Sequence, residues 1–166
     1  YSATVTASDG TNSATQDITV SVNNVSDNAP SFTSSSSFSV DENQTSIGTV
    51  TATDADGDTL TFSVSGSEIA IVSSTGVLTF VSAPDYETKS SYSVTVTASD
   101  GTNSATQDIT VAINNLNDNT PAITSSSSFT ADENQTAIGT VTATDADGDT
   151  IIYSISGSEI NINSST

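Results

Sequence analysis

The chain repeats itself with a period of 91 residues, and this repeat constrains the fold more than any other feature of the sequence. Residues 1–75 align with residues 92–166 at 58 of 75 positions. None of the 17 differences falls on an acidic residue, and several exchange one apolar side chain for another, as between Leu60 and Ile151. Apolar exchanges of this kind are tolerated where a core can repack. A unit of about 90 residues exceeds the roughly 20–50 residues of solenoid repeats, so the sequence predicts a string of separate domains.

Within one unit, apolar residues alternate with Ser and Thr, which indicates half-buried β-strands. The predicted strand segments are Phe38 with Val40, then 47–53, 60–64, 69–72, 77–81, 92–98 and 105–113. Turn residues separate them, as at 73–76 and 100–103. About seven short strands with turns at intervals of roughly 8–12 residues are typical of a sandwich. The sequence therefore predicts an all-β fold of tandem immunoglobulin-like Greek-key β-sandwiches, without a helix.

Two segments that contain proline mark the predicted unit boundaries, because proline suits a strand edge or an interdomain junction better than a central strand. They lead to Pro30 and Pro121. We expect the end of one unit at 1–27, a complete unit at 28–118 and the start of a third at 119–166. Tyr1 is not an initiator methionine, so we expect a segment of a longer protein.

The composition excludes several classes of partner and cofactor. The chain has 20 acidic residues and one basic residue, for a formal net charge of -19, and such a surface repels nucleic acid and anionic lipid. It contains no Cys and no His, which excludes disulfides and leaves zinc, copper and haem without their usual ligands. No apolar run approaches the roughly 18 residues of a membrane span, so we expect no membrane insertion by this segment.

The acidic residues cluster at places where a sandwich brings its loops together. The stretch Asp54-Ala-Asp56-Gly-Asp58 recurs one period later as Asp145-Ala-Asp147-Gly-Asp149. Carboxylates so close together repel one another unless a cation lies between them, and the only basic side chain is Lys89. Oxygen donors of this kind favour Ca²⁺. An EF-hand does not fit, because glycine stands at the fourth position of the loop.

Five acidic motifs in this order and at this spacing resemble the cadherin repeat. They are Asp41-Glu42-Asn43, Asp54-Ala-Asp56, Asp85-Tyr-Glu87, Ala98-Ser-Asp100-Gly101 and Asn115-Leu-Asn117-Asp118-Asn119-Thr-Pro121. The resemblance covers the whole chain. It implies an extracellular adhesion protein in which about three Ca²⁺ ions are clamped at each complete junction between consecutive repeats.

The resemblance also implies the ligands of each junction. Those of the second junction are Glu42, Asp85, Glu87, Asn117, Asp118, Asn119, Asp145 and Asp147, with Asn115 at the first linker position. Those of the first junction are Asp27, Asn28, Asp54, Asp56 and Asp100. The chain departs from the family pattern at Asn24 and Asn115, where the family has Asp, and at Ser26, where it has Asn. These departures remove a formal charge and an amide ligand.

The sequence leaves more than one function open. The leading hypothesis is a calcium-binding adhesin or a calcium-rigidified stalk of a large, bacterial-type cell-surface protein, whose partners are neighbouring repeats and copies of itself. The alternative is a subunit of an extracellular filament in which chains complement one another head to tail. An enzyme is not expected: Asp85 and Glu87 could form a glycosidase-like acid pair, but the chain has no Trp and few aromatic residues to line a cleft. A carbohydrate-binding module would need an exposed aromatic platform for the same reason.

Overall fold

The computed structural model describes residues 1–164, and Ser165 and Thr166 at the end of the predicted third unit lie outside the described residues. The described chain is all-β. Its strands are β1 (Ser2–Ser8), β2 (Ser13–Thr19), β3 (Ser31–Phe32), β4 (Ser37–Asp41), β5 (Ser46–Thr49), β6 (Ala52–Thr53), β7 (Thr61–Val64), β8 (Ile69–Ile71), β9 (Val77–Phe80), β10 (Ser91–Ser99), β11 (Ser104–Asn114), β12 (Ala122–Ile123) and β13 (Ala143–Thr144). Within residues 1–164, no helix has the length and apolar character needed to cross a membrane.

The central unit contains two sheets. One sheet has four strands in the order β4-β11-β10-β7, and the other has three in the order β5-β9-β8. Strands β3 and β6 form a separate short pair. β4 runs parallel to β11, whereas the other neighbours in both sheets are antiparallel. The seven strands of the two sheets confirm the predicted immunoglobulin-like β-sandwich.

The core lies between these two sheets, because the alternation of apolar and polar residues gives each sheet one apolar face. The four-stranded sheet contributes Val96, Ile109 and Val111, and the three-stranded sheet contributes Ile69 and Leu78. Phe80 packs edge-on against Tyr92 of β10, with ring centroids 4.8 Å apart. The two sheets thus hold the loops at both ends of the sandwich in fixed positions.

One predicted strand is divided in the structure. The periodicity predicts a single strand over 47–53, but this segment forms β5 and β6 because the chain changes partners in its middle. β5 pairs with β9, whereas β6 pairs with β3. Val50 lies between the two and is fully buried. Periodicity predicts which residues are extended, but it does not predict which sheet each of them joins.

The first and third units are less complete than the central one in the described part of the chain. Residues 1–27 contain the antiparallel hairpin of β1 and β2, which pairs Ser2 with Thr19 and Ser8 with Ser13. Residues 119–164 contain only the short pair of β12 and β13. The predicted boundaries at 27/28 and 118/119 stay predictions, although the buried apolar core described above lies within residues 47–113.

Candidate metal centre

Four carboxylates from four separate segments of the chain meet at the second junction. They belong to Glu42 directly after β4, Glu87 between β9 and β10, Asp118 in the linker, and Asp147 in the loop after β13. Each offers an oxygen within 4.8 Å of the others. The fold therefore brings together acids that are far apart in sequence.

Glu42 is the most buried acid of this cluster, with 1% of its surface exposed. Its Oε1 accepts the backbone N–H of Leu116 and its Oε2 accepts that of Tyr86, both at 2.8 Å. A buried charge is tolerated when it is hydrogen-bonded in this way. The carboxylate fixes the start of the linker and the loop of Glu87 around itself, and each oxygen keeps a further lone pair for a cation.

Asp147 attaches the third unit to the linker. Its Oδ2 accepts the backbone N–H groups of Asn119 at 2.8 Å and Asp118 at 3.2 Å, and its Oδ1 accepts the Asn119 amide at 2.9 Å. The side-chain amide of Asn115 donates to the backbone carbonyl of Asp147 at 2.9 Å. Asparagine at the first linker position therefore makes a bond that aspartate cannot make, since a carboxylate lacks a donor.

Two carboxylates of this cluster have shifted pKa values. Partial desolvation raises the pKa of Glu87, and a hydrogen bond to Asp147 and the negative charges of Glu42 and Asp147 raise it further. The hydrogen bonds from Asn119 instead lower the pKa of Asp147, despite some desolvation. The pKa shifts of these two carboxylates have opposite directions because Glu87 lies next to other negative charges, whereas Asp147 accepts hydrogen bonds from the linker.

The other predicted ligands of the second junction occupy different surroundings. Oδ1 of Asp145 accepts the backbone N–H of Asp147 at 3.0 Å, so the two acids share one loop. Asp85 is exposed and accepts both the N–H and the hydroxyl of Thr88, and it is not among the four converging acids. Asn117 is exposed in the linker.

The first junction repeats the same pattern one period earlier. The amide of Asn24 donates to the backbone carbonyl of Asp56 at 2.8 Å. Oδ2 of Asp56 accepts the backbone N–H groups of Asn28 at 2.9 Å and Asp27 at 3.0 Å. The bond from the backbone N–H of Asn28 is the main reason that the pKa of Asp56 is lowered. Both linkers are thus held to the following unit by the second aspartate of the same loop.

This junction also holds carboxylate oxygens that lack a partner. Asp54, Asp56 and Asp58 form a second acidic group within one loop. Oδ2 of Asp54 and Oδ2 of Asp58 are both inaccessible to solvent and have no hydrogen-bond partner among the described residues. The carboxylate of Asp58 thus belongs to this group together with those of Asp54 and Asp56. Buried anionic oxygens without a partner are costly unless a cation binds them.

Asp100 lies in the turn between β10 and β11. Its Oδ1 accepts the backbone N–H groups of Asn103 and Thr102, and the bond from Asn103 contributes most to its lowered pKa. The Asn103 side chain also donates to the backbone carbonyl of Asn28 at 3.3 Å. Asp100 is therefore positioned next to the first linker.

Sequence reasoning missed two asparagines that connect these elements. One is Asn103, whose only sequence signal is its place at the end of an Asp-Gly-Thr-Asn turn. The other is Asn43, which has a positive φ of 65° and donates its amide to Asp118. Its sequence signal is its position directly after Glu42, because asparagine is one of the few residues that adopt this conformation readily.

The single basic side chain, that of Lys89, does not belong to either acidic group. Lys89 forms an ion pair with Glu68 at 2.7 Å, and its Nζ lies 4.2 Å from the centre of the Tyr92 ring. The acidic groups at the two junctions therefore receive no positive charge from a Lys or Arg of this chain. Their donors are carboxylate, amide and carbonyl oxygens, and the buried oxygens without a partner point to a cation. This donor set fits Ca²⁺, which takes about 6–8 oxygen ligands in flexible geometry.

Comparisons with known proteins identify the type of domain that the central unit forms. The Cadherin domain family model matches residues 36–114. Chitinase A of Pseudoalteromonas piscicida is 35% identical over 105 residues, which are 62% of this chain and 13% of the enzyme. Neural-cadherin of Drosophila melanogaster is 31% identical over 171 residues, which cover 92% of this chain and 6% of that protein. The chain thus spans only a small part of these relatives.

Among solved structures, the repeats EC22-24 of mouse Cadherin-23 have a TM-score of 0.77 and 27% sequence identity. The match covers 96% of this chain and 58% of that one. The central unit, whose residues 36–114 match the family model, is a cadherin repeat in sequence and in fold. Cadherin domains are adhesion modules rather than enzymes, and the match to the chitinase is confined to a small fraction of that protein.

Proposed function

We propose that this chain is an extracellular segment of an adhesion or stalk protein whose domains are held in line by Ca²⁺ at the junctions. The observation that supports this most strongly is the convergence of Glu42, Glu87, Asp118 and Asp147 from the central unit, the linker and the third unit. A cation bound to all four would cross-link the two units directly.

The residues proposed to bind Ca²⁺ are those of the acidic sequence motifs. About three ions would bind at a complete junction, as the cadherin pattern implies. The residues that would hold them at the second junction are Glu42, Asp85, Glu87, Asn115, Asn117, Asp118, Asn119, Asp145 and Asp147. Those at the first junction are Asp27, Asn28, Asp54, Asp56 and Asp100. The bound ions supply positive charge that neutralises the clustered carboxylates.

The residues of the chain prepare the junction for this role. Buried Glu42 orients the linker, and Asp147 holds two linker N–H groups, so the two sides of the site are already close. Prepositioned ligands lower the conformational cost of binding. Extracellular modules bind Ca²⁺ with dissociation constants of roughly 10⁻⁴–10⁻³ M. At a free calcium concentration about 100-fold above that constant, one site stabilises the fold by about 2.7 kcal/mol.

Calorimetric titration of the whole chain with Ca²⁺ tests the proposal, together with small-angle scattering in calcium and in chelator. We expect saturable binding, and a narrower distribution of interdomain distances in calcium. Asp147→Asn should remove most of the binding at the second junction. Asp108→Asn is the matched control, because it removes the same charge from an exposed strand position whose carboxylate bonds to Thr95. Absence of calcium binding, or equal loss in both variants, would contradict the proposal.

A further inference from the structure

The three aspartates of the loop after β6 use their carboxylate oxygens in different ways. Both oxygens of Asp56 accept hydrogen bonds from the linker: Oδ2 accepts the backbone N–H groups of Asn28 and Asp27, and Oδ1 accepts the Asn28 amide at 3.1 Å. Oδ1 of Asp54 accepts the backbone N–H groups of Asp56 at 2.9 Å and Asp58 at 3.4 Å. The loop and the linker therefore engage both oxygens of Asp56 but only one oxygen of Asp54.

Two carboxylate oxygens of this loop remain without a partner. Oδ2 of Asp54 and Oδ2 of Asp58 are both shielded from solvent, and neither accepts a hydrogen bond in the described part of the chain. Asp54, Asp56 and Asp58 each place one carboxylate oxygen within 4.8 Å of the others. Negative charges about 4–5 Å apart repel one another, and the repulsion grows as water is excluded. Buried carboxylates of this kind therefore require a positive partner.

No positive group within residues 1–164 supplies this partner. The only basic side chain, that of Lys89, is paired with Glu68. The N-terminal ammonium group of Tyr1 donates to the backbone carbonyl of Val20 at 2.8 Å. An inorganic cation that prefers oxygen ligands, as Ca²⁺ does, can contact several carboxylate oxygens at once. The loop therefore fits a cation that is held by side chains of the loop itself.

Gly57 turns the chain so that Asp58 returns to Asp54. Gly57 has a φ of 81°, and its N–H donates to the backbone carbonyl of Asp54 at 3.4 Å. A Cβ at this position would meet no atom within 4 Å, so glycine is needed for its conformation rather than for space. Leu60, two residues after Asp58, packs against the core and fixes the end of the loop. The central unit thus holds Asp54 and Asp58 together without any residue of the first unit.

We propose that Asp58 is a calcium ligand that acts together with Asp54 at the first junction. Its role rests on the proposed function and extends it, because the acidic motif that the cadherin pattern supplies ends at Asp56. Asp58 also replaces the formal charge that the first linker lacks at Asn24. The amide of Asn24 donates to the backbone carbonyl of Asp56 at 2.8 Å, so the missing charge and the added charge belong to the same site.

A calcium titration of the whole chain, followed by NMR, tests this ligand. The amide signals of Gly57 and Gly148 report separately on the acidic loops of the first and second junctions. Asp58→Asn keeps the size of the side chain but removes its charge, so the apparent dissociation constant read at Gly57 should rise by about tenfold. The constant read at Gly148 should stay unchanged. Asp108→Asn is the matched control, because it removes one charge from an exposed strand position, and it should change neither constant.

Two further measurements distinguish a ligand from a residue with a structural role. In chelator, Asp58→Asn should melt at the same temperature as the native chain or higher, because the variant has lost a repulsive charge. In calcium, it should melt several degrees lower than the native chain, since it binds the ion less tightly. Asn24→Asp in the Asp58→Asn background should restore most of the lost affinity, because it returns one carboxylate to the same site. Unrestored affinity would contradict the charge replacement.

Three results would overturn the ligand role of Asp58 while leaving the proposed function intact. The first is a Gly57 signal that does not respond to calcium while that of Gly148 does, or that keeps its affinity in Asp58→Asn. The second is an equal loss of affinity in Asp58→Asn and Asp108→Asn, which would reflect net charge rather than ligation. The third is a melting temperature that falls in chelator as much as in calcium, which would show a structural role. If calcium moves neither glycine signal in the native chain, the ligand role and the proposed function are both wrong.

Discussion

At the scale of single residues, the junctions depend on side chains that hold the linker as much as on the acids themselves. Glu42 is buried by the sandwich and bonds to two backbone N–H groups. Asn115 and Asn24 donate to the backbone carbonyl of the second aspartate in the following loop. These bonds direct each linker toward the following unit.

Replacing Glu42 with Ala should destabilise the central unit even in chelator, by about 2 kcal/mol, because two backbone N–H groups lose their acceptor. Urea denaturation monitored by circular dichroism measures the change. Glu68→Gln is a suitable control, since it breaks only the exposed ion pair with Lys89 and should cost less than about 1 kcal/mol. Equal effects of the two substitutions would contradict the structural role of Glu42.

Replacing Asn115 with Asp should have opposite effects with and without calcium. In chelator the junction loosens, because a carboxylate now faces the Asp147 carbonyl that the amide contacted. In calcium the added charge should strengthen binding by about tenfold, which corresponds to about 1.4 kcal/mol. Calorimetric titration and scattering in chelator measure the two effects, and Asn24→Asp provides the same test at the first junction. An unchanged affinity would contradict the proposed ligand role of this position.

At the scale of strands and turns, the sandwich depends on where the chain reverses. The turn from β8 to β9 brings Gly76 directly against the backbone where β5 ends, and the N–H of Val50 donates to the Gly76 carbonyl at 2.9 Å. Gly76 has a φ of 70°, and a Cβ there would lie 2.2 Å from the Val50 carbonyl oxygen. Glycine is therefore required for both its conformation and its lack of a side chain.

Gly76→Ala should destabilise the central unit more than Gly66→Ala does. Both residues have positive φ, but a Cβ at Gly66 meets no atom within 4 Å. Gly66→Ala should therefore cost about 1 kcal/mol for backbone strain alone, and Gly76→Ala should add the cost of displacing β5. Denaturation midpoints of the two variants measure the difference. Similar midpoints would show that the close approach to Val50 relaxes easily.

The turn between β1 and β2 should lose stability in acid. The backbone N–H groups of Asn12 and Thr11 donate to Asp9 and lower its pKa below the ordinary value of 3.8. A lowered pKa means that this stabilisation is present above the unfolded pKa and is lost as the pH falls through the folded pKa. Side-chain carboxyl shifts of Asp9 in an NMR titration test this, with Asp9→Asn as control. A midpoint at or above 3.8 would contradict it.

At the scale of the whole molecule, the described parts of the three units differ in how many paired strands they contain. The central unit has both sheets and a closed core. The third unit presents unpaired edges, and the first is a hairpin with an exposed apolar face. Stability should therefore be distributed unevenly along the chain, since strands without partners open more easily.

Hydrogen exchange in dilute, monomeric solution should reveal this difference. Amides of β4 and β7 should be protected close to the global unfolding free energy of the central unit. The equivalent amides at 128–132 and 152–155 should exchange rapidly, because these residues form no strand in the described structure. Mass spectrometry of peptides from the two regions compares nearly identical sequences directly. Equal protection in a verified monomer would show that the third unit is ordered without added strands.

Much of this protein was predictable from local sequence. Alternation at Leu60, Phe62 and Val64 identifies a half-buried strand, because side chains on a strand alternate between its two faces. The 91-residue period identifies the repeating unit, and the motifs around Glu42 and Asp145 identify the family. The excess of acidic over basic side chains indicates that a bound cation is needed to neutralise the clustered carboxylates. These features depend on neighbouring residues or on composition, so they can be predicted from the sequence alone.

Other features were decided only by the tertiary structure, because they depend on which distant strands pair. The division of 47–53 between two sheets, the burial of Glu42, the linking amides of Asn43 and Asn103, and the meeting of Glu87 with Asp147 all arise when residues far apart in sequence become neighbours. Nearly identical hairpins differ in burial, because in the described structure only β10–β11 pairs with further strands and packs against a second sheet. The sequence of each segment determines its strand propensity and its side-chain chemistry. Long-range strand pairing determines which residues that segment contacts.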